Sequence, residues 1–199
     1  MTKENRVTGF SGAGLKPATL VIDPGHGGHD PGAVYDGVRE ADLNLAMALR
    51  LQKMGSVAGL QPATLALTRD DDRFVALPAR AEMANELGAK LFVSIHCNAA
   101  ARPEPSGFSV HHAPGSERGT ALAQAIHRAL VQALPGRKDQ GVLSSSFLVL
   151  KRTIMPAALV ECEFLSHPGA RAWLQTPEAQ EQLAQAIRQG IEEFLQLPV

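Results

Sequence analysis

Leu91-Phe92-Val93-Ser94-Ile95-His96 offers water almost no polar side chain. A strand with one solvated face alternates apolar and polar residues. A near-continuous apolar run belongs to a strand covered on both faces. Covering both faces of a sheet takes helices on both sides, and the rest of the chain supplies them. Leu43, Met47, Leu51 and Met54 repeat at helical spacing before Gly55. Leu77, Ala81, Ala84 and Leu87 do so before Gly88. Leu122, Ala125, Ile126, Ala129, Leu130 and Ala133 mark a helix over 116–134. Leu183, Ala186, Ile187, Ile191 and Phe194 mark another over 178–195. Between them, 19–23, 63–68, 91–96, 107–112, 146–150 and 157–162 read as strands. This alternation predicts an α/β fold: a single three-layer domain, with a mostly parallel twisted sheet of about six strands and helices on both faces. Residues 1–17 are polar and read as a flexible lead-in, leaving 18–199 as the folded domain.

Composition excludes several function classes. With 19 Lys and Arg against 20 Asp and Glu, the net charge is −1, and the basic residues are scattered. That is no footprint for nucleic acid. No apolar run is long enough for membrane insertion, and the first fifteen residues lack the apolar segment of a signal peptide. Retention in the cell, another exit route and excision from a longer exported chain all fit that N-terminus.

The chemistry concentrates at strand ends. Val21-Ile22-Asp23-Pro24 runs into Gly25-His26-Gly27-Gly28, where a histidine sits among three glycines. Glu40 opens the first helix, and His96 closes the apolar strand. Two histidines and one glutamate with a fourth position open form a catalytic zinc set. Each residue also has a plainer reading. His26 fits a hydrogen-bonded turn, Glu40 the acid preferred at a helix start, and His96 a core histidine. Glu161 ends the apolar stretch Ala157-Ala158-Leu159-Val160, where a carboxylate needs a partner or a task. General acid–base work is one role; pairing with Arg69 or Arg80 is the other. Arg69 and Arg80 themselves read as loop buttresses. Asp23-Pro24 is either a rigid turn or support for His26. The glycine loop lacks the Gly-Lys-Ser/Thr ending of a phosphate-binding loop, which makes a nucleotide-binding protein the weakest rival. Of the other histidines, His111 and His112 end a strand beside any such groove. Cys97 and Cys162 each follow a candidate site residue. Strand alternation turns both to the opposite face as small buried side chains, and no disulfide is implied.

These residues lie within ordered motifs. They are Val21 to Gly28 with Asp30-Pro31-Gly32, Glu40 before an aliphatic helix, and Thr68-Arg69-Asp70. Leu77-Pro78-Ala79-Arg80 with Ala84-Asn85, then Ser94-Ile95-His96 with Asn98, come next. Met155-Pro156 leading to Leu159-Val160-Glu161, with Phe164-Leu165-Ser166, completes the set. In this the chain resembles the zinc-dependent N-acetylmuramoyl-L-alanine amidases over nearly all of 18–195. The resemblance implies one Zn2+ on His26, Glu40 and His96, with Glu161 as the catalytic carboxylate, and makes 18–199 the catalytic domain. It implies hydrolysis of the amide joining N-acetylmuramic acid to L-alanine in peptidoglycan or muropeptides, at the cell wall, by a monomer. A zinc peptidase cutting within stem peptides and a non-catalytic wall-binding protein are the alternatives.

The chain departs from the family's usual pattern at Cys97, Glu163 and His167. Division-associated members carry a helical plug after the strand that follows the second zinc histidine. Here only Ala113-Pro114-Gly115-Ser116 fills that place, so activity without an activator is expected.

Overall fold

A computed structural model describes residues 20–55, 57–58 and 65–197. The expected lead-in, 1–17, lies outside the described residues. Six strands form one sheet: β1 (Leu20–Pro24), β4 (Leu65–Leu67), β5 (Leu91–Asn98), β6 (Phe108–His112), β7 (Asp139–Ser144) and β8 (Ala157–Phe164). Their order is β4-β1-β5-β8-β6-β7. Every pairing is parallel except β6 against β8. A two-stranded ribbon, β2 (Val34–Tyr35) and β3 (Val38–Arg39), stands apart from the sheet.

β5 lies at the sheet's centre, as its apolar run requires. Its Leu91, Val93 and Ile95 join Leu20 and Ile22 of β1 and Val160 of β8 in the larger core. That core is closed by α1 (Glu40–Lys53), α3 (Glu117–Ala133) and α6 (Pro177–Leu195), through Met47, Leu122, Ile126, Leu183 and Ile187. On the other face Phe92, Val21 and Leu159 meet Ala84 of α2 (Leu77–Glu86), and Val149 and Leu150 of α4 (Leu148–Arg152). This is the three-layer α/β architecture expected from the sequence. No helix of the described residues is long and apolar enough to cross a membrane.

One expected strand is corrected. Residues 146–150 are not a strand: Leu148–Arg152 is α4, and the strand is β7, just upstream. Leu148-Val149-Leu150 is too short an apolar run for its period to separate helix from strand. β7 is an edge strand with no fully buried residue, so its sequence reads as polar loop. The sequence reading also passed over α5 (Pro168–Leu174).

Cys97 and Cys162 are free, buried and on the core face. Burial pushes both thiols well above their usual range. The connection from β6 to α3 is a four-residue turn closed by Ser116 N–H donating to Ala113 O, at 3.2 Å.

Candidate metal centre

Parallel strands bring their C-terminal ends to one edge of a sheet. β1 leads there into the His26 loop, β5 carries His96 there two residues before its end, and Glu161 of β8 stands in register with His96. The Asp36-Gly37 turn joins β2 and β3 with φ values of 47° and 78°, the left-handed conformation of a two-residue hairpin. The ribbon leads directly into Glu40 at the start of α1.

One ligand atom from each of His26, Glu40 and His96 falls within 4.8 Å of the others. Glu40 Oε1 lies 3.2 Å from His26 Nε2 and 2.9 Å from His96 Nδ1. The two imidazoles meet edge to face at 5.0 Å. Two glycines make this approach sterically feasible. A Cβ on Gly25 would sit 2.1 Å from His96 Cε1, and one on Gly32 would sit 2.6 Å from Glu40 Oε2.

Further groups hold the three ligands. Asp30 Oδ2 lies 2.8 Å from His26 Nδ1, which turns Nε2 toward Glu40. Glu40 accepts hydrogen bonds from the N–H groups of Ala33 and Cys97, and from Asn44 Nδ2, which also donates to Gly25 O. Burial works against ionising Glu40, but hydrogen bonds from the two imidazoles hold it well below the carboxylate range. Burial likewise opposes protonation of His26, and Glu40 and Asp30 overcome it, pushing the imidazole up to about 9. Two carboxylates thus draw a proton onto a ligand nitrogen, and a metal cation suits the same donor geometry.

Glu161 is the fourth sequence candidate. Its Oε2 is buried without a hydrogen-bond partner among the described residues. Burial first, then Glu40, pushes its carboxyl up to about 7, against the pull of His96 and His26. Neither arginine pairs with it. Arg69 donates to the carbonyls of Pro24, Gly25 and Ala41; Arg80 donates to Pro24, His26 and Val75. Both therefore buttress loops. Arg80 also pairs with the buried Asp23 at 2.7 Å, and Thr68 and Ser94 donate to the same carboxylate. This resolves Asp23-Pro24 as support for the His26 loop.

Sequence reasoning missed Asp30 and Asn44 as ligand supports. Each stands four residues from the ligand it touches, and for Asn44 this is the one-turn spacing of a helix. Glu163 accepts from Gly107 N–H and Phe164 N–H and pairs with Arg137, whose guanidinium stacks 3.4 Å from the centre of the Trp173 ring. His167 caps α5 through Ala170 N–H. Both unusual residues thus serve local structure.

A family profile described as N-acetylmuramoyl-L-alanine amidase matches residues 20–193. The chain is 35% identical over 177 residues to N-acetylmuramoyl-L-alanine amidase LytC of Bacillus subtilis, covering 86% of this chain and 34% of LytC. It thus spans about a third of that relative. It superposes on the amidase AmiC2 of Nostoc punctiforme with a TM-score of 0.83 and 35% identity, covering 91% of this chain and 98% of that one. The catalytic domain of the amidase CwlV from Bacillus (Paenibacillus) polymyxa gives 0.83 and 34%, covering 91% and 99%.

Proposed function

The chain belongs to the N-acetylmuramoyl-L-alanine amidase family, and on that premise we propose that it is a zinc enzyme cutting peptidoglycan between N-acetylmuramic acid and L-alanine. The observation that carries this reading is the convergence of His26, Glu40 and His96, with the unpaired Glu161 carboxylate beside His96. Two imidazoles and one carboxylate are a catalytic zinc donor set, with a fourth position left for water or substrate. Zinc bound there would polarise the amide carbonyl and lower the pKa of water to about 7.

The chain's own residues supply the rest. Asp30 keeps His26 Nε2 aimed at the ligand position, and Ala33 and Cys97 fix the Glu40 carboxylate. Glu161, in register with His96, takes a proton from the attacking water. It gives that proton to the alanine nitrogen as the C–N bond breaks. The products are the muramic acid carboxylate and a stem peptide with a free alanine amine. All four residues come from one chain, which supports action as a monomer. The short β6–α3 turn supports activity without an activating partner. The substrate places this action at the cell wall, on polymer or on released muropeptides.

Glu161→Gln tests the reading. It should bind zinc as the wild type does and lose turnover by roughly 10²–10⁴-fold. Zinc content by atomic absorption, beside amine release from peptidoglycan, checks both halves. Wild-type turnover in Glu161→Gln would refute the assignment.

A further inference from the structure

Phe74 is 44% exposed, on the loop between β4 and α2. That loop is pinned to the His26 loop. Arg80 donates to Val75 O at 2.9 Å and to His26 O at 2.7 Å. Gly28 N–H donates to Asp72 Oδ1 at 2.8 Å. A Cβ on Gly28 would lie 2.7 Å from Phe74 N and 3.2 Å from Phe74 Cβ. Phe74 therefore abuts the chain two residues past the ligand His26. The exposed His29 ring meets the Phe74 ring at a centroid distance of 4.1 Å, with 36° between their planes. Two exposed rings thus form a fixed shelf beside the metal centre.

The charged neighbours of this shelf are matched with one another. Arg73 pairs with Asp70 and Asp71, and Arg39 pairs with Asp42 and Asp72. The surface left over suits an uncharged, partly apolar group. The proposed substrate has one. A single carbon and an ether oxygen join its scissile carbonyl to the sugar ring, so that ring must lie close to the metal. With the lactyl carboxyl tied up as the amide, the N-acetylmuramic acid ring carries no charge, and its C–H faces are apolar. The stem peptide, on the other side of the bond, carries ionised groups. An aromatic face is electron-rich and attracts C–H groups directed at it. A platform already fixed before binding loses little freedom when the ligand arrives.

We propose that the shelf of Phe74 and His29 stacks on the pyranose ring of N-acetylmuramic acid, with Phe74 making the contact. The glycan then lies on the β4–α2 side of the metal centre. The inference rests on the amidase reading above and gives its substrate an orientation.

Phe74→Ala should raise KM for an N-acetylmuramoyl-alanyl peptide roughly fivefold, the scale of one ring contact. Its kcat and zinc content should not change. A lactyl-alanyl peptide of the same sequence keeps the scissile amide and lacks the sugar, and on it the variant should match the wild type. Phe74→Tyr keeps the ring and should keep the wild-type KM. Equal losses on both substrates would mean that Phe74 only shapes the loop, and an unchanged KM on the muramoyl peptide would mean that it makes no contact. Either result overturns the inference. A readout independent of turnover is saturation-transfer NMR with the peptide-free disaccharide of N-acetylglucosamine and N-acetylmuramic acid. Saturating the aromatic protons of the protein should reach the C–H protons of the muramic ring, and Phe74→Ala should abolish that transfer; transfer that persists in the variant would also overturn the inference. Wild-type protein that cut neither peptide would sink the amidase reading, and the NMR result would still decide the shelf.

Discussion

His26 holds a φ of 63°, unusual for a residue with a side chain. Its carbonyl is tied to Arg80 and its ring to Asp30, so neighbouring groups over-determine the conformation. Asp30→Ala should fold normally and bind zinc roughly 10–100-fold more weakly, as loss of a ligand's hydrogen-bond partner does. Competition against a chromophoric chelator measures this; unchanged affinity would remove Asp30 from the site. Asp23 makes a prediction about pH. Burial raises its carboxyl, but Arg80, Thr68 and Ser94 bring it below its unfolded value of 3.8. The ion pair's stabilisation is therefore complete above that value and is lost as pH falls through the lower, folded one. Asp23→Asn should cost about 3–5 kcal/mol at pH 7, since Arg80 stays buried without its counter-charge. It should also flatten the stability–pH curve below about pH 4. Urea unfolding across that range tests both, and parallel curves would contradict the assignment. The four site candidates were legible because each is a costly residue at the end of an apolar run or the start of a helix. The Asp23–Arg80 pair was not, because its partners lie far apart in sequence and meet only when β1 and α2 are packed.

Among elements, α3 and α6 pack closely at Gly190. A Cβ on Gly190 would lie 2.3 Å from Ile126 Cα and 2.9 Å from Ala125 O, both backbone atoms that cannot swing aside. Alanine is the better helix former by about 1 kcal/mol, but overpacking costs about 1–3 kcal/mol. Gly190→Ala should therefore lower Tm. A higher Tm by calorimetry would show that the helices separate without strain. β1, β5 and β8 were legible because burial on both faces writes itself as a continuous apolar run. β7 was not, because an edge strand needs no such run. The β2–β3 ribbon did leave a signal, Asp36-Gly37 between apolar residues, and its effect is to deliver Glu40 to the ligands.

At the scale of the whole molecule, parallel pairing explains why residues so far apart in sequence meet. It puts the ends of β1, β5 and β8 side by side, and the helices of both layers cover the central strands below that edge. Product mass reads directly which bond is cut at this edge. Purified chain alone, incubated with purified peptidoglycan, should release intact stem peptides with a free alanine N-terminus, and leave glycan strands bearing unsubstituted muramic acid. Chelator should stop the release, and added zinc should restore it. Fragments cut within the stem, or release that chelator does not affect, would contradict the account.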